Sequence, residues 1–133
     1  NVTATGSEAA VIEGSNSITL TNISLTGAAG TRDRGIMVYQ SMSGDAEQGI
    51  GTFTMTGGSY TWTSSTGPAF FVTNTNATIT LSDVAVSSNA SELVNASAGD
   101  WGTLGSNGGT VLFSAENETL NGSIVADEAR ETN

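Results

Sequence analysis

Four segments of the chain alternate apolar residues with neighbours that are mostly Thr or Ser. They are Ile18-Thr19-Leu20-Thr21-Asn22, Phe53-Thr54-Met55-Thr56-Gly57, Ile79-Thr80-Leu81-Ser82-Asp83 and Val111-Leu112-Phe113-Ser114-Ala115. A period of two predicts a strand with one face buried. A second set follows three of these directly: Ile23-Ser24-Leu25, Gly58-Ser59-Tyr60 and Val84-Ala85-Val86. A third set precedes both: Val11-Ile12-Glu13, Met37-Val38-Tyr39, Phe71-Val72-Thr73, Leu93-Val94-Asn95 and Ile124-Val125-Ala126. The order never changes. No apolar stripe with helical spacing is sustained anywhere.

The distances between equivalent positions define a repeat. From Ile18 the steps to Phe53, Ile79 and Val111 are 35, 26 and 32 residues. From Ile12 the steps to Val38, Val72, Val94 and Val125 are 26, 34, 22 and 31. Three short strands per irregular repeat predict an all-β fold, a right-handed parallel β-helix (a solenoid) of about four to five rungs. A β-sandwich is the rival, but it gives no reason for three strand types to recur in fixed order. Asn1, Asn22, Gly57 and Asp83 fall between the Thr-rich strands and the short strands that follow them, where residues that tolerate a left-handed backbone suit a sharp corner. Residues 1–6 match 22–27, so a single domain over 1–126 is expected to begin mid-rung with an open N-terminal end. Residues 127–133 read as a polar tail.

Composition narrows the chemistry. The 133 residues carry 13 Asp and Glu against 3 Arg, with no Lys, His or Cys, giving a net charge of −10. That excludes disulfides, thiolate catalysis and Cys/His zinc sites. It removes the commonest general base near neutral pH and opposes binding to nucleic-acid phosphates. No apolar run is long enough to cross a membrane as a helix. Hydrolysis with paired carboxylates is not expected, because the column Glu13, Tyr39, Thr73, Asn95, Ala126 offers one carboxylate. Arg32, Arg34 and Arg130 are poor bases because they stay protonated.

Residues 9–14 (Ala-Ala-Val-Ile-Glu-Gly), with the segment from Gly35 to Asp45, resemble a family of microbial cell-surface carbohydrate-binding proteins that have a polysaccharide-lyase-like right-handed β-helix. The resemblance spans roughly Ala9 to Val125. It implies a non-catalytic, secreted or wall-attached module that binds plant-type or acidic polysaccharide, sometimes with Ca²⁺.

Two long loops leave equivalent positions, 40–51 and 96–109, around a short connection at 74–78. They are expected to overhang a cleft. Asp45, Glu47 and Asp100 in these loops are the candidate Ca²⁺ ligands, set against plain solvated acidic loops. Trp101, Trp62 and Tyr39 are the candidates for stacking on a sugar ring, whereas Tyr60 is expected in the core. Two adjacent apolar columns on the third set, Val11, Met37, Phe71, Leu93, Ile124 and Ile12, Val38, Val72, Val94, Val125, cannot both face inward, so one needs cover from loops or from a partner. Seven sequons, at Asn1, Asn22, Asn76, Asn89, Asn95, Asn117 and Asn121, are candidate glycosylation sites.

These readings lead to an extracellular surface adhesin-like module for polysaccharide. The alternative is a structural subunit, a glycoprotein where its sequons are used, that self-associates end to end into a surface filament or sheath.

Overall fold

The computed structural model describes residues 1–28, 30, 33–41, 46–100 and 109–132, with the backbone alone for 100 and 127–132. Eleven strands follow one another: β1 (Val2–Thr3), β2 (Ala10–Glu13), β3 (Ser17–Gly27), β4 (Ile36–Tyr39), β5 (Ile50–Trp62), β6 (Phe70–Thr73), β7 (Asn76–Ser82), β8 (Ala85–Ser88), β9 (Glu92–Asp100), β10 (Thr110–Glu116) and β11 (Ser123–Thr132). They form two sheets. One has the order β1-β3-β5-β7-β10, with β8 also beside β5; the other has the order β11-β9-β6-β4-β2. Every pairing between these strands is parallel. The chain crosses repeatedly from one sheet to the other and back, as the fixed order of segments requires. Among the described residues no helix is long and apolar enough to cross a membrane.

Alternation in β3, β5 and β7 decides what goes inside. Ile18 lies beside Phe53, Phe53 beside Ile79, and Ile79 beside Phe113. Phe53, Met55, Ile79 and Leu81 are buried, and the intervening Thr side chains are half-buried or exposed. The other sheet supplies Ile12, Val38 and Val72 in one column and Ile36, Phe70 and Val94 in the next. Phe70 joins the sheets through edge-on contacts with Tyr60 and Phe113, with ring centroids 5.3 and 5.4 Å apart. Each such side chain contributes about 1.5–3 kcal/mol by leaving water.

The expected register is displaced in places. Ile79 pairs with Phe113 rather than Val111, Val72 with Ala96 rather than Val94, and Val2 with Leu25 rather than Ile23. A slip of two residues keeps every side chain on its face, so alternation cannot detect it. Between β9 and β11 the slip is one residue: Val94 pairs with Ile124, next to an irregularity at Ser123. β11 also runs on through 127–132 beside β9, where the sequence suggested a tail.

The corners follow their chemistry. Asn22, Gly57, Asp83 and Asn117 have φ of 53, 65, 57 and 57°, all left-handed. Asn1 does not belong with them, since its strand pairs two residues further along β3 than expected. A Cβ on Gly57 would collide with the Asn22 side-chain oxygen, which explains the glycine there. Asn117 Nδ2 donates to Asp83 Oδ1 at 3.0 Å, tying two corners together.

A left-handed backbone costs an ordinary residue about 1–2 kcal/mol. Asp83→Ala should therefore lower stability by about that amount, and Asp83→Asn by much less, as read from denaturant midpoints. Burial raises the Tyr60 phenol well above its ordinary pKa, with a backbone bond at Ile36 lowering it slightly. A raised folded-state pKa means full stability below about pH 10, the unfolded value. Stability then falls as pH climbs from there toward the folded value. Tyr60→Phe should flatten this alkaline decline in thermal melts, while losing the hydroxyl bond to the Ala69 carbonyl (2.7 Å).

Candidate functional site

Where the chain leaves β2, β4 and β6, its connections to the other sheet differ in length. Glu13, Tyr39 and Thr73 are in register at the ends of these strands. Gly14, Gln40 and Asn74 follow them, and Gly14 and Asn74 turn the chain with left-handed φ of 62 and 57°. Two residues, Asn74 and Thr75, then lead into β7, whereas 40–49 separate β4 from β5. The short connection is flanked by longer ones.

Around it lies a groove of about 450 Å³ lined by Gln40, Gln48, Gly49, Ile50, Asn74, Thr75, Asn76 and Thr110. Ile50, Asn76 and Thr110 stand in one register column across β5, β7 and β10. The groove therefore crosses three strands, about 10 Å from first to third. Gln48, Asn76 and Thr110 are its exposed polar side chains, Gln40, Asn74 and Thr75 are buried, and Ile50, 57 % exposed, is its large apolar side chain. Gln40 Nε2 donates to the Ala46 carbonyl at 3.0 Å and so fixes the end of the first loop. Thr110 Oγ1 donates to Asn76 Oδ1, and Thr75 Oγ1 approaches the Gly49 carbonyl at 3.4 Å.

Uneven loop lengths anticipated a cleft at this place but not most of its lining. Gln40, Gln48, Thr75 and Thr110 are ordinary polar residues in the sequence, and Asn76 stood out only as a sequon. The signal that unites them is register, which puts Ile50, Asn76 and Thr110 in line.

The expected sugar platforms lie elsewhere. Trp62 is fully buried, and its indole N–H donates to the Gly67 carbonyl at 2.9 Å. Its ring therefore offers no open face on which a sugar could stack. Its column neighbours Gly27 and Ser88 are small, and the indole takes the space beside Gly27 that a Cβ would need. Tyr60 is buried as expected. Tyr39 is half-buried against Met37 and Phe71. Trp101 lies outside the described residues, as do Asp45 and Arg32. Of the suggested Ca²⁺ ligands, Glu47 is exposed and Asp100 is described only by its backbone at the end of β9. Among the described residues no three acidic side chains converge.

In the second apolar column Met37 and Phe71 have their cover within the chain, whereas Val11 beside Met37 stays 44 % exposed. Met37 and Phe71 are buried, with the Arg34 guanidinium 4.8 Å above the Phe71 ring. Leu93 is not part of this column: it packs in the main core, and Asn95 takes the place beside Phe71. Asp33, Arg34, Thr66, Glu92 and Asn95 surround a smaller cavity of about 320 Å³ there. Asp33 accepts the hydroxyls of Ser64 and Thr66, and Glu92 accepts the Asn95 amide at 2.8 Å. Of the seven sequon asparagines, Asn95 is thus engaged and half-buried, while Asn1, Asn22, Asn76, Asn89, Asn117 and Asn121 are exposed.

Comparison with protein-family models, with curated proteins and with solved structures yields no match to this chain.

Proposed function

We propose that this chain is a non-catalytic, extracellular surface module that holds polysaccharide in the groove over Asn74 to Asn76. The observation that carries the reading is the lining itself: the exposed amides of Gln48 and Asn76 and the hydroxyl of Thr110 beside one exposed aliphatic side chain, donors and acceptors that sugar hydroxyls can use. Exposed sequon asparagines support a glycosylated protein outside the cell.

The proposed architecture beneath the groove is the right-handed parallel β-helix. It is supported by the all-parallel pairing and the strict return of the chain to each sheet. Crossovers between parallel strands of one sheet are right-handed in about 98 % of cases. A crystal structure with a left-handed coil would refute that part.

The non-catalytic reading has support in the register. Glu13, Tyr39, Thr73, Ser97 and Asp127 form one column, which adds a carboxylate to the column expected from sequence. Its two acidic positions are four strand spacings apart, about 19 Å, beyond the range of paired-carboxylate hydrolysis.

Thr110→Val keeps the shape of the groove and removes one hydroxyl. Native gels cast with a panel of neutral and acidic polysaccharides should retard the wild-type chain in at least one case. The variant should be retarded less, its affinity down by about 2- to 10-fold for one hydrogen bond. Free migration of the wild type in every gel would sink the proposal.

A second reading, end-to-end association into a filament, draws on where apolar side chains remain exposed. Val11 at 44 %, Leu112 at 64 % and Ile124 at 68 % lie on β2, β10 and β11, the outermost strands of the sheets. Sedimentation at rising concentration should then show growing particles, and a monomer throughout would end that reading.

A further inference from the structure

We infer that the groove selects neutral, polyhydroxylated chains and rejects polyuronates. This rests on the polysaccharide reading above and names its ligand class. The argument starts from charge. No residue of the described groove lining is ionisable: its exposed polar side chains are Gln48, Asn76 and Thr110, with Gln40, Asn74 and Thr75 buried. Beyond the groove the protein is strongly acidic, at −10 net with three arginines in all.

Recognition of a polyanion needs cations at the site, because each carboxylate that leaves water must be repaid by a partner of opposite charge. Arg34 is committed elsewhere, over the Phe71 ring and beside Asp33 and Glu92 in the smaller cavity. A polyuronate approaching Asn76 would meet neutral dipoles locally and a repulsive field at longer range. A neutral sugar meets no such penalty. Its hydroxyls both donate and accept, which matches side-chain amides that do the same.

The groove also limits how tightly a chain can be held. Its described lining has no aromatic ring, and Ile50 supplies the apolar contact. Single-site binding is therefore weak, and retention depends on a polymer that offers the same unit many times. The column Ile50, Asn76 and Thr110 sets the path, along the direction in which strands stack.

The test uses native gels containing a neutral galactomannan, a mixed-linkage β-glucan or dextran, against gels containing polygalacturonate or alginate, each at low and high salt. The expected result is retardation by a neutral polymer with no change on adding salt, since no charge is involved. Asn76→Ala, which takes the amide out of the groove floor, should weaken it, and Arg34→Gln should leave it intact. If Asn76→Ala loses its β-sheet circular dichroism, Thr110→Val takes its place with a partial loss of retardation. Retardation by polyuronates alone, weakened by salt, would overturn the neutral class while keeping polysaccharide binding. Free migration in every gel would overturn both.

Discussion

Parallel pairing in register is the constraint from which the rest of this structure follows. A strand that pairs with a parallel neighbour one repeat away places equivalent residues side by side, and each column must then be compatible with itself. Ile18, Phe53, Ile79 and Phe113 satisfy that demand on the inside. Thr19, Thr54, Thr80 and Ser114 satisfy it on the outside with small hydroxyls in place of like charges. Charges stacked in such a column would repel across a spacing of about 4.8 Å. The scarcity of Lys and Arg and the abundance of Thr and Ser are two sides of this requirement.

Columns hold only while the chain returns to the same place, so the corners carry a separate burden. Asn22, Gly57, Asp83 and Asn117 meet it with a backbone conformation most residues avoid. Neighbouring corners must also fit one another. Where Asn22 projects its side chain, the next corner has Gly57; where Asp83 offers an acceptor, the next has the Asn117 amide. Length variation is allowed only in the connections between sheets. The groove is a direct product of that freedom: a two-residue connection beside a ten-residue one, 74–75 against 40–49, leaves a hollow whose floor is fixed by the ladder.

Much of this was legible from the chain. Alternation identified the strands, their faces and the core tyrosine, and the recurring Asn, Gly and Asp marked three true corners. What escaped has a common physical origin. Moving a strand by two residues preserves every inside and outside assignment, so Val111 and Phe113 compete for Ile79 on equal terms until the packing of Phe113 against Phe70 decides. Trp62 was misplaced for a related reason. Small neighbours at Gly27 and Ser88 suggest an edge in one dimension, but in three they are the space an indole occupies. The groove residues carry no individual signature, because glutamines and threonines become a site only when register aligns them.

Asn76 stands where two of these features meet. It lines the groove, accepts the Thr110 hydroxyl, and opens an exposed sequon whose Thr78 lies in the same strand. A sugar attached to its amide nitrogen would grow out of the groove floor, into the volume that an outside polysaccharide would need. Attachment and binding at this position therefore exclude each other. In a host that glycosylates Asn76 the groove is filled by the protein's own sugar, and the face that contacts other molecules is the glycan itself. Where Asn76 stays bare, its Nδ2 would face a foreign chain while Oδ1 holds Thr110. On the proposed reading, Asn76 at the start of β7 is therefore the point where bound and attached sugar would compete.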